Sequence, residues 1–110
     1  MANRKIRTFG EYIKELREAS GRPQRKIAAE LDIDPSLLGK IERDERPPTK
    51  MLIKKLAEIF NQNEDKLLEE YLSDQIANKV LEGSGGTEVL KVAEQKITYL
   101  KNKKNAGNTY

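Results

Sequence analysis

The side chains of this sequence that could do chemistry are carboxylates, amines, guanidinium groups, amides and hydroxyls, because the chain has neither histidine nor cysteine. Histidine is the commonest general base and metal ligand, and the cysteine thiolate is both a nucleophile and a zinc ligand. Their absence excludes Ser-His and Cys-His catalysis, the usual zinc sites and disulfide bonds. No pair of carboxylates is better explained by catalysis than by a helix surface. We therefore expect a binding protein without metal or cofactor, and an enzyme restricted to carboxylates, lysine and tyrosine is the remaining catalytic alternative.

The basic residues that could hold an anionic partner are unevenly distributed. Lys and Arg total 21 against 18 Asp and Glu, and the sequence pI is near 9.1. Residues 1–63 hold 14 basic and 10 acidic side chains, a net charge of +4, whereas residues 64–110 hold 7 and 8, a net charge of −1. No apolar run approaches the roughly 20 residues of a membrane span, so we expect a cytoplasmic protein with no membrane partner.

The elements that must position these residues are helices, because charged residues are abundant, aromatic residues are rare and no segment alternates apolar with polar residues. Thr8 and Glu11 form a capping box that starts a first helix ending at Gly21. A short second helix should start near Gln24, and Pro35 should occupy the first position of a third helix capped by Asp34. Thr49 should cap a fourth helix, a fifth should follow residues 61–63, and the glycine-rich residues 83–86 should form a joint before a last helix.

The second and third helices are short and joined by a tight turn, an arrangement typical of a helix-turn-helix. Ala28 provides a small side chain where the two helices cross, and Asp32 occupies a turn position that requires a positive φ. Apolar residues occupy the positions expected to face the core, namely Ile27, Leu31, Ile33, Leu38 and Ile41. The alternative interpretation is an ordinary helical hairpin within a core.

Residues 23–43, PQRKIAAELDIDPSLLGKIER, resemble the Xre-type, phage-repressor-like helix-turn-helix family. The flanking segments fit the same pattern: LR at 16–17, ERPPT at 45–49 and LAEIF at 56–60. The resemblance implies an all-α protein whose residues 1–70 form a five-helix DNA-binding domain with a basic N-terminal arm. Outside the shared pattern, we expect residues 71–101 to be a C-terminal helical extension for dimerisation and residues 102–110 to be a disordered tail. The whole chain is also similar to small bacterial or phage-type regulators encoded beside DNA methyltransferases and restriction enzymes.

The resemblance also implies roles for individual residues. The third helix would enter the major groove of double-stranded DNA, and Gln24 would donate to a backbone phosphate. Lys40 can donate to guanine and Ser36 to several bases. The residues expected to bind DNA are Gln24, Arg25, Pro35, Ser36, Gly39, Lys40, Arg43 and Arg46, with Arg43 and Arg46 near phosphates. The alternative interpretation of each residue is a solvated surface side chain without a role in DNA binding.

A matching pair in the family implies that Arg17 and Glu42 form a structural ion pair between the first and third helices. Two residues depart from the family pattern. Pro23 cannot supply a capping hydroxyl, and Gly39 leaves the middle of the recognition face without a side chain. We therefore expect that specificity depends partly on DNA shape and on dimer spacing.

The last two helices carry more apolar surface than the domain should be able to cover, which indicates an interface. The expected dimerisation residues are Leu72, Ile76, Val80, Leu90, Ala93, Ile97 and Leu100. Alternatives are folding back on the same subunit and binding a second, different protein. The sequence thus predicts a sequence-specific transcriptional regulator, a repressor or autoregulator, that binds a palindromic operator as a homodimer. The rival hypothesis is a protein-interaction module, such as an antitoxin or adaptor.

Overall fold

The computed structural model describes residues 5–107, and that part of the chain contains six α-helices and no strand. Residues 1–4, the start of the expected basic arm, and residues 108–110 lie outside the described range. The all-α prediction is confirmed. The helices are α1 (Phe9–Ser20), α2 (Gln24–Leu31), α3 (Pro35–Glu42), α4 (Lys50–Ile59), α5 (Glu64–Glu82) and α6 (Thr87–Gly107).

Local capping chemistry explains where several helix ends lie. The capping box at α1 is present, since Thr8 Oγ1 accepts from the Glu11 amide at 3.1 Å and Glu11 Oε1 accepts from the Thr8 amide at 2.9 Å. Gly21 ends α1 in the left-handed region with φ of 72°. Thr49 caps α4 through the Leu52 amide. Asp34 occupies the N-cap position of α3 as expected, but its side chain makes no capping hydrogen bond.

A single apolar core is built from α1 to α5. Its buried members come from each of these helices, and the partly buried side chains of Tyr12, Leu16 and Tyr71 pack against them. The buried residues are Phe9, Ile13, Ile27, Ala28, Leu31, Leu38, Ile41, Leu52, Ile53, Leu56, Ala57 and Leu67. Every residue that the helix-turn-helix pattern assigned to the core is buried or, for Ile33, partly buried.

The N-terminus of α1 is held against the end of α3 by a close backbone approach. A Cβ on Gly10 would lie 2.5 Å from the Ile41 carbonyl oxygen and 2.6 Å from that of Glu42, so only glycine fits there. Asp44 follows α3 with φ of 60°, and its Oδ1 accepts from the Gly10 amide at 3.0 Å. Its Oδ2 accepts from the Thr8 hydroxyl at 2.7 Å. The loop after α3 therefore helps to cap α1.

A carboxylate from α5 caps the same helix end. Asp74 Oδ2 accepts from the Phe9 amide at 2.6 Å, and the Phe9 ring packs edge-on against Tyr71, with 5.5 Å between ring centroids. The chain divides into two compact units after Asp74. Tyr71 and Asp74, which follow the predicted boundary at residue 70, both contact Phe9 of α1.

The second unit contains the last part of α5, the joint at residues 83–86, and α6. The structure corrects the expected tail, because α6 continues through residues 102–107 instead of ending near Lys101. Lysine and alanine have good helix propensities and no proline interrupts this segment, so nothing local stops the helix before Gly107. No helix among the described residues is both long enough and apolar enough to cross a membrane.

The surroundings of Asp74 disfavour its charged form. Burial raises the pKa of this carboxyl, and the nearby carboxylates of Asp44, Glu70 and Glu11 raise it further, against the lowering effect of the Phe9 amide. Because its pKa is higher in the folded protein than in the unfolded chain, the native state binds the proton more tightly. Ionisation of Asp74 therefore lowers stability as the pH rises through the folded pKa.

We expect Asp74→Asn to raise the Tm at pH 7 by about 2–4 °C, a modest shift because the group is partly exposed. The amide oxygen still accepts the Phe9 N–H, while the repelling charge is gone. The gain should shrink as the pH is lowered, because protonation of the wild-type carboxyl removes the same charge. Thermal unfolding followed by circular dichroism at pH 7 and at acidic pH measures this. Asp74→Ala is the control and should lower the Tm, because it removes the cap; an Asn variant as unstable as the Ala variant would contradict the prediction.

Candidate nucleic-acid interface

The candidate interface is built on α2, α3 and the three residues between them. The Ile33 amide donates to the Ala28 carbonyl at 3.0 Å, and Asp32 ends α2 in the left-handed region with φ of 58°. The positive φ expected at Asp32 is confirmed. Ala28 is fully buried, and this small side chain lies in the core that α2 and α3 share. These local features place two short helices in the tight arrangement of a helix-turn-helix.

The outward face of α3 is polar and exposed. Pro35, Ser36 and Lys40 are all exposed, whereas Leu38 and Ile41 are buried on the inner side of the same helix. Ser36 and Lys40 are four residues apart and therefore lie on one side of the helix. The arrangement leaves their hydroxyl and ammonium groups accessible to a large partner.

Gly39 differs from its expected place on this exposed face, because the structure buries it. A Cβ at Gly39 would lie 3.2 Å from Arg43 Nη1 and 3.6 Å from Gln24 Nε2. Two long side chains, one from α2 and one from the end of α3, therefore cover the middle of α3. The glycine makes room for these donors, so the centre of the face is not bare.

A buried carboxylate connects the three helices behind this face. Glu42 is only 5% exposed. Its Oε2 accepts from Arg17 Nε at 2.7 Å and its Oε1 from Arg17 Nη2 at 3.0 Å, so the ion pair expected from the sequence is present and bidentate. Gln24 Nε2 also donates to Glu42 Oε1, at 2.9 Å. The hydrogen bond to Glu42 raises the pKa of the Arg17 guanidinium above its usual range.

The contact between Gln24 and Glu42 was not predicted. We expected Gln24 to donate to a DNA phosphate, and in the protein alone its amide nitrogen is anchored by a carboxylate of α3. An amide nitrogen carries two N–H donors, so one bond to Glu42 leaves the second for another acceptor. The contact fixes the side chain at the N-terminus of α2.

The arginines beyond α3 have different surroundings. Arg43 pairs with Glu45 through Nε to Oε2 at 2.9 Å and Nη2 to Oε1 at 3.3 Å. The hydrogen bond to Arg43 lowers the pKa of Glu45, and the same bond raises the pKa of Arg43. Arg46 is exposed in the following loop. The Nε and Nη2 edge of Arg43 therefore reaches an anion only by exchanging the Glu45 carboxylate for it.

A second group of basic residues lies on α2. Arg25 and Lys26 are exposed there and line a shallow groove with Arg22. Arg22 forms an ion pair with Glu30 across the same groove. Arg25 and Lys26 thus add positive charge to the helix that precedes α3.

Sequence reasoning missed four residues that shape the interface: Gly10, Asp44, Glu45 and Asp74. One local signal was present for Gly10, because a glycine in the first turn of a helix costs about 1 kcal/mol relative to alanine and needs a packing reason. Asp44 and Asp74 act through contacts between distant segments, which no local pattern reveals. Glu45 acts through its short-range pairing with Arg43.

The extension was expected to carry a dimerisation surface, and the structure leaves its apolar residues largely uncovered. Leu72, Ile76, Ile97 and Leu100 are exposed, and Val80, Leu90 and Ala93 are partly buried. None of the side chains described on α6 is buried. Among the described residues no group of histidine, cysteine, aspartate or glutamate could hold a metal ion.

An all-helical core with a two-helix motif, an anchored inner face and a polar outer face defines the helix-turn-helix class of DNA-binding regulators. Comparison with known families agrees: the family model described as helix-turn-helix matches residues 13–67, half of the chain. The chain belongs to this family, whose members are DNA-binding transcriptional regulators. Neither the curated proteins nor the solved structures provide a match.

We expect Glu42→Ala to lower the free energy of unfolding by about 3–5 kcal/mol, because it leaves the Arg17 guanidinium partly buried without its carboxylate. DNA binding should fall with it, through loss of folded protein. Denaturant unfolding monitored by circular dichroism measures the change. Glu58→Ala, which removes an exposed glutamate of α4, is the control and should change little. An unchanged Tm in the Glu42 variant would refute the structural role of the ion pair.

Proposed function

We propose that this protein is a sequence-specific regulator that binds a palindromic operator in double-stranded DNA as a homodimer, and that it acts as a repressor or autoregulator in the cytoplasm. The observation that carries the proposal is the exposed polar face of α3, with Ser36 and Lys40 outward and Leu38, Ile41 and Glu42 fixed inward. A helix held rigidly on one side and hydrated on the other suits insertion into a major groove.

The individual roles follow from what each donor can reach. Lys40 would donate to guanine O6 and N7, Ser36 to a neighbouring base, and Pro35 would make an apolar contact. Gln24 would donate its remaining N–H to a phosphate. Arg25 and Arg46 would add phosphate contacts at the two ends of the motif.

Arg43 would contribute after release from Glu45. Its guanidinium lies over Gly39, at the centre of α3, and not only at the end of that helix. The side chains at the middle of the face, Arg43 and Gln24, would then contact phosphates, and no residue 39 side chain would read a base there. DNA shape and half-site spacing would supply the remaining specificity.

The alternative function is a protein-interaction module, such as an antitoxin or adaptor. The exposed apolar residues of the extension favour a protein partner, since Leu81 is 80% exposed and Leu100 is 59% exposed. This alternative does not require α3 to touch DNA, so the two functions separate on the effect of α3 variants.

The first experiment selects duplexes from a random pool with the whole chain and then compares variants on the enriched sequence. Lys40→Ala should weaken binding to that sequence by roughly 5- to 100-fold and binding to unrelated duplex much less, because a base contact carries discrimination. Lys79→Ala removes an equally charged, exposed lysine of α5 and is the matched control. Failure to enrich any duplex, or equal effects of the two variants, would favour the interaction module.

The second experiment tests Arg43 through its partner. Glu45→Gln should strengthen binding to any duplex several-fold and steepen the dependence of log K on log salt by about 1, because Arg43 no longer has to leave a carboxylate to meet a phosphate. Fluorescence anisotropy across a salt series measures both quantities. Glu82→Gln removes a similar exposed partner, that of Lys79, and should leave the slope unchanged. Identical slopes for the two variants would mean that Arg43 makes no phosphate contact.

A further inference from the structure

The helix α6 has an uncovered apolar stripe along one side. Five residues at helical spacing form it, which we call the α6 stripe: Val89, Leu90, Ala93, Ile97 and Leu100. Val89, Ile97 and Leu100 are 45%, 51% and 59% exposed, and no described side chain of the helix is buried. A helix in water gains most of its stability from packing an apolar face, so this helix of 21 residues would be stabilised by a partner that covers the stripe.

The charges on α6 are separated along its length. Residues 87–95 hold Glu88, Glu94 and Lys91, a net charge of −1, and Glu88 lies 3.9 Å from Lys91. Residues 96–107 hold Lys96, Lys101, Lys103 and Lys104 with no acidic residue. The helix therefore has a mildly acidic first half and a strongly basic second half.

This polarity determines which orientation a second copy can take. In a parallel pair, the four lysines of one helix would lie beside the four lysines of the other. In an antiparallel pair, the basic half of each helix lies beside the acidic half of its partner, and the two α6 stripes still meet. Like charges held close together are destabilising and opposite charges are favourable, as at the flanks of coiled coils.

We propose that α6 is a homodimerisation helix that packs antiparallel against α6 of a second copy of this chain. The partner that covers the α6 stripe is thus a second copy of this chain, because an antiparallel copy places opposite charges side by side. The inference rests on the proposed homodimeric function and specifies the contact that makes the dimer.

The antiparallel orientation also separates the points where the rest of each chain is attached. A helix of 21 residues is about 31 Å long. The two N-terminal ends, next to the joints at residues 83–86, would lie about that far apart in an antiparallel pair, but only about 10 Å apart in a parallel one.

Single cysteines test the orientation cleanly, because the natural chain has none. Leu90→Cys and Lys104→Cys place thiols near opposite ends of the stripe, about 21 Å apart along the helix. A short bis-maleimide reagent is added to each variant alone and to an equal mixture of the two. Lys91→Cys, one residue along on the opposite side of the helix, is the matched control and should not link to any of them.

Antiparallel pairing gives a covalent dimer in the mixture, formed from one chain of each variant, and little dimer from either variant alone. Efficient linking within either single variant would overturn the proposal in favour of a parallel pair. A monomer in sedimentation at the same concentration, with no cross-link in any sample, would also overturn it. Binding of the unlinked protein to the selected duplex is measured in the same series. A monomer that still binds one half-site would contradict only this inference. Absence of specific binding would contradict the proposed function itself.

Discussion

The buried carboxylate of Glu42 is the interaction on which the geometry of the interface depends. It receives two donors from Arg17 on α1 and one from Gln24 on α2, while its own backbone belongs to α3. An ionised carboxylate that is almost fully buried is unfavourable unless several donors satisfy it. The arrangement therefore tolerates little displacement of any of the three helices. Because breaking these three hydrogen bonds to Glu42 would lower the stability of the fold, the outward face of α3 is held in a fixed position.

The N-terminus of α1 acts as a second junction in the same unit. Its first backbone amide groups, which have no acceptor within the helix, are capped by side chains from three segments: Thr8 locally, Asp44 after α3 and Asp74 on α5. A helix N-terminus carries partial positive charge, and it attracts these carboxylates together. Burial raises the pKa of Asp74, and repulsion from the neighbouring carboxylates, Asp44 among them, raises it further. The junction fixes the end of α3 and the middle of α5 to one helix end.

The sequence predicts those features that depend on a few neighbouring residues. The capping box at Thr8, the positive φ at Asp32 and the inward positions of Ile27 and Leu38 all follow from local rules and are present. The burial of Gly39 does not follow, because it depends on where the long side chains of Gln24 and Arg43 lie. The Asp74 contact spans 65 residues of sequence and has no local signal. The length of α6 was underestimated because a polar segment can be helical as well as irregular.

The two units meet different physical requirements, and this connects the extension to the interface. The first unit buries its own core and offers DNA a short face, with Ser36 and Lys40 as its exposed polar donors on α3. So few base contacts discriminate weakly in one half-site, since each good contact contributes about 1–3 kcal/mol. In the proposed homodimer, a second half-site bound through the linked copy would add its contacts at high effective concentration. The second unit, whose helix α6 has no buried side chain among those described, would gain packing from the same association. The proposed dimer would thus supply both the contacts that one unit lacks and the packing that the other lacks.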